Sequence, residues 1–400
     1  MPSPTGSRLP RVALIGVSGY GSIYLQLVRA ALRAGTMRLV AAVIINKDQV
    51  PDIVTELRAG GTTIYGSSDE FFARESGKVD LCLIPTGIQW HARLTIAALG
   101  AGMNVLVEKP LAGSLADCQA IRRAEVAAGR WVAVGFQDIY AIEAQWLKAQ
   151  LQAGVIGRLQ EVRMVGLWPR SRAYFARTSW AGRLAADGAA VLDSPLNNAF
   201  AHFINLSLYF AGPTLGASAS VTLESAELLR AHRIEMFDTA VVRGVSPEGV
   251  RFWFGVSHTI ADNRQPEIYL HGSTGRAEWW HEQRCVVLDT DGRRQVFPLP
   301  DTEEFRRIMF HNVLNRLSDP SAFICTTAIA EQHTRLVEDV QHTGHVQDVP
   351  ASLIDWMPDA HTRTEIPVVH GLANAIGRAA QTGSTLASVA SYAEAQLVTP

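Results

Sequence analysis

The stretch RVALIGVSGYGSIYLQLVRAALRAG, residues 11–35, decides how the chain begins to fold. A short apolar run ends in glycine, two more glycines follow closely, and a segment with helical periodicity comes next. Glycines let a backbone turn tightly and approach a pyrophosphate, and the helix N-terminus offers unpaired amides and a positive dipole. This context predicts a dinucleotide-binding turn, although Ser18 stands where the usual G-x-G-x-x-G pattern has its middle glycine. The predicted turn consists of Gly16, Ser18, Gly19, Tyr20 and Gly21.

Strand-like and helix-like segments go on alternating to residue 136. Continuous apolar runs separated by crossover helices imply a parallel sheet covered on both faces. Right-handed crossovers give a doubly wound Rossmann domain of the α/β class over residues 11–136, with ligands at the carboxyl ends of the strands. The further apolar runs are RLVAAVII, VDLCLIPT, NVLVE and WVAVGF.

The sequence pattern changes after Gln137. Apolar and polar residues alternate with period two in runs such as RLQEVRMVGLW and VRFWFGVSHTI. Alternation of this kind predicts a mostly antiparallel open sheet in an α+β domain, which we place at residues 137–345. A flexible tail at residues 1–10 and a loosely placed C-terminal extension at residues 346–400 complete the expected organisation.

The composition excludes several classes of protein. The chain has 400 residues, is 48% hydrophobic and carries a net charge of −2, which gives no electrostatic footprint for nucleic acid. No segment reads as a signal peptide or a membrane span, and the cysteines have neither disulfide nor metal spacing, so a reducing cytoplasm is expected. These scattered cysteines are Cys82, Cys118, Cys285 and Cys325.

The residues after the second strand do not decide whether the cofactor carries a 2′-phosphate. An acidic residue there would grip the adenine ribose hydroxyls of NAD, but this chain offers Asn46 and Lys47. The Asn46 amide can bond a hydroxyl, and Lys47 can meet a 2′-phosphate. NAD and NADP therefore remain alternatives.

The stretch NVLVEKPLAG, residues 104–113, ends a buried strand in Glu108, Lys109 and Pro110. With the glycine turn, WVAVGFQ and GVIGRLQEVRM, this triplet resembles the glucose–fructose oxidoreductase/inositol dehydrogenase (Gfo/Idh/MocA) family. The resemblance covers the chain to about residue 345. It implies that Lys109 lies beside the nicotinamide, in the cleft between domains, and holds the substrate oxygen, with Glu108 orienting Lys109 or the nicotinamide ribose.

The stretch LDSPLNNAFAHFINLSLYFAGP resembles the catalytic helix of that family. Ser194 reads as its N-cap, which predicts that Asn198, His202 and Asn205 share one face. The resemblance implies that His202 is the general acid/base. The family has an aspartate one turn before this histidine, and here that position is Asn198, so either Asp193 or Asn198 is expected to orient His202.

Other residues are weaker candidates. His91 matches a family histidine near the nicotinamide, or is a polar residue at a helix start; Thr86 and Gln137 at strand ends also fit cofactor contact. An aromatic and basic loop suits a polyhydroxylated or anionic ligand, or forms a packed lid or subunit contact. Its candidates for substrate contact are Trp168, Arg170, Tyr174, Trp180 and Arg183. No metal-binding spacing exists, so no metal is expected.

The leading hypothesis is an NAD(P)-dependent oxidoreductase acting on the CH–OH group of a sugar, cyclitol or related polyol. Alternatives are an NAD-retaining enzyme that cleaves glycosides by transient oxidation and a non-catalytic dinucleotide-binding protein. An alternating sheet with exposed aromatic residues needs a cover, so a homodimer or homotetramer is expected. The substrate is a small molecule, and neither nucleic acid nor a membrane is expected as a partner.

Overall fold

The computed structural model describes residues 8–389, so the predicted tail and extension lie partly outside the described residues. The chain divides into two compact units. The first contains residues 8–112, 116–135 and 306–327, and the second contains residues 113–115, 136–305 and 328–389.

The first unit is built on a six-stranded parallel sheet with the order β3-β2-β1-β4-β5-β6. This is the doubly wound order of dinucleotide-binding folds, and it confirms the predicted Rossmann domain. The short third strand was not predicted from the sequence, because three residues are too few to show a periodic pattern of apolar side chains. The strands are β1 Arg11–Ile15, β2 Arg38–Val43, β3 Thr63–Tyr65, β4 Leu81–Ile84, β5 Asn104–Val107 and β6 Val132–Val134.

Helices connect these strands and cover their apolar residues. β4 and β6 are buried along their whole length and β1 and β5 except at their first residue, which explains why they read as continuous apolar runs. The helices are α1 Gly21–Arg33, α2 Pro51–Ala59, α3 Ser68–Glu75, α4 Ile88–Gly100 and α5 Leu115–Ala128.

The second unit is built on a nine-stranded sheet with the order β16-β15-β14-β13-β7-β12-β11-β10-β17. Only the β12–β7 and β10–β17 pairs are parallel, so the mostly antiparallel sheet is confirmed. Small two-stranded sheets accompany it. Its strands are β7 Leu159–Leu167, β10 Thr222–Arg230, β11 Thr239–Val245, β12 Arg251–Ser257, β13 Arg264–Gly272, β14 Arg276–Trp280, β15 Arg284–Leu288, β16 Arg294–Pro298 and β17 His345–Asp348, and the small sheets pair β8 Ala185–Ala186 with β9 Ala189–Ala190 and β18 Ile354–Pro358 with β19 Glu365–Val369.

The remaining helices belong to the second unit, except that residues 306–315 of α9 and the first residue of α10 belong to the first. They are α6 Ile142–Gln152, α7 Arg172–Ala176, α8 Ala201–Ala211, α9 Thr302–Asn315, α10 Thr327–Thr343, α11 Leu372–Thr382 and α12 Leu386–Val389.

Two segments depart from the predicted domain boundaries. Residues 306–327 join the first unit, where the Val134 N–H donates to the Cys325 carbonyl at 2.9 Å. The boundary expected at residue 345 falls at the start of β17, because this strand pairs with β10 and completes the second sheet. Residues up to 389 therefore belong to the second unit and do not form a separate extension.

Residues 349–389, which we call the C-terminal cover, pack on one face of the nine-stranded sheet. Their apolar side chains meet those of alternating strand residues, including Val165, Val241 and Trp253, in one buried cluster. From the cover, Val349, Val369, Leu372, Ala375, Ile376, Ala379 and Leu386 belong to that cluster.

Hydrogen bonds fix the C-terminal cover to the sheet. The Trp253 indole donates to the Ser384 carbonyl at 2.8 Å, and Arg163 donates to the Ala380 and Gln381 carbonyls at 3.0 and 2.6 Å. The Glu227 carboxylate accepts from the Leu386 amide at 2.6 Å. Over β7, β10, β11 and β12, this sheet face is thus covered by the same chain.

In residues 8–389 no helix is both long and apolar enough to cross a membrane. The four cysteines are buried free thiols, as their scattered spacing predicted.

Candidate active site

The glycine turn joins β1 to α1 with the geometry that a phosphate-binding turn requires. Gly16 and Gly19 have φ angles of +90° and +58°, a region that favours glycine. A Cβ on Gly21 would lie 2.6 Å from the Gly16 carbonyl oxygen, so the backbone closes on itself only because side chains are absent. A Cβ on Gly19 would meet open space. These features fit a dinucleotide whose pyrophosphate lies against the turn.

The other cofactor candidates of the first unit differ in how they are placed and how far they are exposed. Thr86 follows β4, and its methyl carbon lies 3.9 Å from the position that a Gly16 Cβ would take. Tyr20 lies 36% exposed beneath the Arg306 guanidinium, 5.7 Å from its ring centroid. Asn46 is exposed beyond β2, and the half-buried Lys47 lies against Gly66, so both remain candidates for the ribose end.

Glu108 is the fixed residue at the carboxyl end of β5. Its carboxylate is 4% exposed and accepts from the Tyr24 hydroxyl at 2.9 Å and from the Lys109 N–H at 3.0 Å. Burial raises the pKa of Glu108 to about 7, against the opposing effects of the Lys109 charge and these hydrogen bonds. Glu108 therefore holds the Lys109 backbone, one of the two roles that the resemblance implied.

His91 holds the chain on the other side of Lys109. Its ring is fully buried, with Nδ1 2.8 Å from the Pro110 carbonyl oxygen and Nε2 3.1 Å from that of Thr86. The peptide bond between Lys109 and Pro110 is cis. Both ring nitrogens thus face backbone carbonyl oxygens, to one of which the single N–H of the neutral ring donates, and this favours a positioning role for His91 over direct cofactor contact.

The burial of His91 leads to a pH prediction. Desolvation lowers the pKa of His91 to about 4 from 6.5, so between these values the unfolded chain binds more protons than the folded one. Stability is therefore fully present above pH 6.5 and falls toward pH 4, by about 3 kcal/mol from this group. Urea titrations across this range should show the loss, and a His91→Leu variant should show a shallower dependence. A matched His311→Leu variant, at an exposed position, should keep the parent's slope; equal slopes for all three proteins would contradict the prediction.

In the second unit, His202 lies on α8 beside a carboxylate that the sequence analysis did not single out. His202 Nδ1 is 3.4 Å from Asp138 Oδ2. His281, at the end of β14, approaches the same carboxylate, with Nδ1 3.5 Å from Asp138 Oδ1. Asp138 is 1% exposed and lies in the short turn Gln137–Tyr140 after β6.

The predicted start of the catalytic helix was wrong by six residues, because the N-cap is Phe200 and not Ser194. α8 begins at Ala201, and residues 194–200 form turns in which the Ser194 hydroxyl accepts from the Asn197 amide at 3.3 Å. Asn198 therefore lies outside the helix and does not share a helical face with His202. Its amide donates to Asp193 Oδ1 at 2.8 Å, and the Gly182 amide donates to Asp193 Oδ2 at 2.6 Å.

The side chains of Asn205 and Gln137 are among the buried polar groups that have no hydrogen-bond partner in the described residues. The Asn205 side chain on α8 is fully buried, with both its amide nitrogen and its oxygen unsatisfied. The Gln137 side-chain oxygen is also buried and unsatisfied. Such groups are costly unless a water or a ligand completes them, so both support a ligand site in the second unit.

A buried lysine anchors the end of α8. Lys148 on α6 is 0% exposed, and its ammonium group donates to the carbonyls of Tyr209, at 2.6 Å, and of Gly212. Burial lowers the pKa of Lys148 to about 7. Cations at a helix C-terminus satisfy carbonyls that have no partner within the helix, so this contact fixes the helix that carries His202.

The aromatic and basic loop splits between two cavities. Trp168, Arg170 and Tyr174 line a cavity of about 700 Å³, and Trp168 stacks on Phe200 with centroids 4.8 Å apart. Arg183 lines a separate cavity of about 760 Å³, where it lies 3.7 Å from Glu235. Trp180 packs against Arg177.

Residues of the C-terminal cover line the first of these cavities. The Ser171 and Thr362 hydroxyls lie 2.9 Å apart, and Arg172 lies 4.0 Å above the Trp356 ring. The cover thus holds the loop that carries Trp168, Arg170 and Tyr174. Among residues 8–389, no group of three His, Cys, Asp or Glu side chains is arranged to hold a metal ion.

Comparison with known proteins adds two family matches. Residues 10–136 match the family model described as "Oxidoreductase family, NAD-binding Rossmann fold" (GFO_IDH_MocA), and residues 144–278 match the "GFO/IDH/MocA C-terminal domain". An inositol 2-dehydrogenase of Gluconacetobacter diazotrophicus is 35% identical over 147 residues, which is 36% of this chain. That match spans only 42% of the relative's length.

Solved structures share the fold at low sequence identity. The WlbA dehydrogenase from Bordetella pertussis, in complex with NADH and UDP-GlcNAcA, has a TM-score of 0.66 and 21% identity, covering 84% of this chain and 96% of that one. An inositol dehydrogenase homolog from Azotobacter vinelandii, complexed with NADH and myo-inositol, has a TM-score of 0.68 and 17% identity, covering 83% and 94%.

Proposed function

Because the chain belongs to the Gfo/Idh/MocA oxidoreductase family, we propose that it is an NAD(P)-dependent oxidoreductase of a polyhydroxylated small molecule. It transfers hydride between the nicotinamide and the CH–OH group of a sugar, cyclitol or related polyol. One observation carries the proposal: Lys109 is held by buried groups on both sides, at the strand edge where this fold binds ligands. The names of the relatives, inositol 2-dehydrogenase among them, support a cyclitol or sugar as the substrate class.

Bound nicotinamide supplies the hydride acceptor or donor. The glycine turn of Gly16–Gly21 and Thr86 hold the cofactor, and Glu108 fixes the backbone from which Lys109 projects. The Lys109 ammonium donates to the reacting oxygen, and this interaction strengthens as negative charge develops there. His202 takes the hydroxyl proton during oxidation and returns it during reduction.

The test begins with what the purified protein releases on denaturation. Mass analysis is expected to find a nicotinamide dinucleotide or, after its addition, saturable binding of NAD or NADP. A panel of inositols, sugar acids and amino sugars is then scored by the absorbance of reduced cofactor. A firmly bound cofactor that no alcohol reduces would favour the NAD-retaining, glycoside-cleaving alternative, and absence of any dinucleotide binding would overturn the proposal.

The residue at the ribose end gives a prediction on cofactor choice. Asn46→Asp should raise the preference for NAD over NADP at least roughly tenfold, because the new carboxylate accepts from both ribose hydroxyls and repels a 2′-phosphate. Kd values of both cofactors, from fluorescence titration, measure it. Asp48→Asn, two residues further on, is the matched control and should leave the ratio unchanged. Equal ratios for Asn46→Asp and the parent would place the ribose elsewhere.

Two further expectations remain proposals. The homodimer or homotetramer expected from the sequence remains a proposal, and the C-terminal cover already occupies the face formed by β7, β10, β11 and β12. We place the interface of any such assembly outside that face. The mass of the intact protein in solution tests whether the assembly forms. The buried free thiols fit the reducing cytoplasm that the sequence analysis expected.

A further inference from the structure

Two imidazoles converge on one buried carboxylate in the second unit. The oxygens of Asp138 are divided between them: Oδ2 faces His202 Nδ1 at 3.4 Å, and Oδ1 faces His281 Nδ1 at 3.5 Å. Asp138 is 1% exposed, and the side chains of His202 and His281 are 11% and 7% exposed. The three groups come from three separate elements, the turn after β6, α8 and the end of β14.

A carboxylate this deeply buried requires compensation. Desolvation would raise the pKa of Asp138, yet the contact with His281 and the neighbouring His202 lower it below its usual value. Asp138 is therefore ionised at neutral pH. No hydrogen bond to either of its oxygens forms among the described residues, and the imidazole nitrogens of His202 and His281 face those oxygens at 3.4 and 3.5 Å. An acceptor at Nδ1 fixes the tautomer of a histidine and leaves Nε2 as the basic nitrogen.

We propose that Asp138, rather than Asp193 or Asn198, is the positioning residue of His202, and that His281 holds Asp138 in place. The proposal rests on the function proposed above, in which His202 is the acid/base. During oxidation the substrate O–H bond breaks, an Nε2–H bond forms on His202, and the hydride leaves to the nicotinamide. Asp138 stabilises the imidazolium that results, and solvent takes up the proton afterwards.

The surroundings of His281 explain why Asp138 is well fixed. His281 Nε2 lies 3.6 Å from Glu282 Oε1, so carboxylates face both of its ring nitrogens. Its ring also packs edge-on against Phe203, with centroids 4.7 Å apart. These contacts hold the His281 ring in place, and the ring faces Asp138 Oδ1, the oxygen that does not face His202.

Asp193 forms hydrogen bonds of its own. Its two oxygens accept from the Asn198 amide and the Gly182 backbone N–H, which ties the turns before α8 to the loop at residue 182. Asp193→Asn, a change of the same chemistry at the other acid near α8, is therefore the comparison variant for Asp138→Asn.

The test reads tautomers directly and needs no substrate. Long-range ¹H–¹⁵N correlation spectra of the ¹⁵N-histidine-labelled full chain, in mildly alkaline buffer, distinguish Nδ1–H from Nε2–H rings. His202→Gln and His281→Gln variants assign the two signals by their disappearance. In the parent, His202 is expected to carry its proton on Nδ1. In Asp138→Asn, one amide oxygen can accept from only one ring while the NH₂ group donates to the other, so the tautomer of one of the two histidines should switch.

The experiments distinguish failure of this inference from failure of the proposed function. Asp193→Asn is expected to leave both histidine signals unchanged. A parent His202 protonated on Nε2, or a switch caused by Asp193→Asn and not by Asp138→Asn, would overturn the inference while leaving the proposed oxidoreductase intact. Failure of the substrate panel with the predicted tautomers present would reject the function and leave the Asp138 arrangement standing.

Kinetics with a substrate found in the panel add the catalytic consequence. Asp138→Asn should lower kcat about 10²-fold with KM changed only a few-fold, because the shape is kept and the reactive tautomer is disfavoured. Asp138→Glu should recover part of the loss. A fall confined to KM, or equal losses for Asp138→Asn and Asp193→Asn, would contradict a positioning role.

Discussion

Replacing Lys109 with methionine is expected to lower kcat by roughly 10³-fold, because in the proposed mechanism the donor that stabilises the developing alkoxide is then lost. The substitution keeps an unbranched side chain that is one heavy atom shorter, and it removes the charge and the donors. Glu108 accepts from the Lys109 backbone N–H, which the variant retains, so the strand end should keep its shape. The measurement is the steady-state rate of cofactor reduction with a substrate from the panel.

Cofactor affinity separates this effect from misfolding. The Kd for the nicotinamide dinucleotide should change only a few-fold in Lys109→Met, since the glycine turn is untouched. Lys78→Met, an exposed lysine of the same unit whose ammonium group donates to the Arg74 carbonyl, is the control and should keep the parent's kcat. A Lys109→Met enzyme as fast as the parent would remove Lys109 from the mechanism.

The second large effect concerns the C-terminal cover. Ile376→Asp should destabilise the protein by roughly 4 kcal/mol, because it removes a fully buried side chain from the apolar cluster and leaves a carboxylate there. The melting temperature of the second unit should fall by roughly 10 °C. Calorimetry measures the shift, and light scattering should show increased self-association as Val241 and Trp253 become accessible.

Ala373→Asp on the same helix is the matched control, because Ala373 is exposed. An added acid in the first turn of a helix is neutral or mildly stabilising, so its melting temperature should stay close to the parent's. Equal melting temperatures for the two variants would mean that residues 349–389 contribute little to the stability of the sheet.

Local patterns predicted the first unit well and the candidate site only in part. The glycine turn and the apolar runs indicate their own structure, because strand–turn–helix geometry is determined over a few neighbouring residues. The partner of His202 is not local. Asp138 lies 64 positions upstream and reaches His202 only through the packing of the turn after β6 against α8. The signal available in the sequence was an acid four residues after a buried strand, in GFQDIY.

The start of α8 was mispredicted for a related reason. Ser194 and Pro195 suit a helix start, and they begin turns instead, because Asp193 and Asn197 bond to neighbouring loops through the Gly182 amide and the Val191 carbonyl. The cover was missed because its helices are short and its apolar residues match a partner surface more than a hundred residues earlier. The periodicity of apolar residues predicts which segments are amphipathic, but it does not predict the surface against which each segment packs.

The late position of the C-terminal cover has a consequence for biosynthesis. Domains begin to fold during translation, at about 5–20 residues per second. The strands that carry Val165, Val241 and Trp253 leave the ribosome long before residues 372–386 do. Their apolar face therefore stays uncovered for several seconds at least, and prematurely terminated chains never cover it. Such nascent and truncated chains are the species that we expect chaperones to bind and proteases to remove.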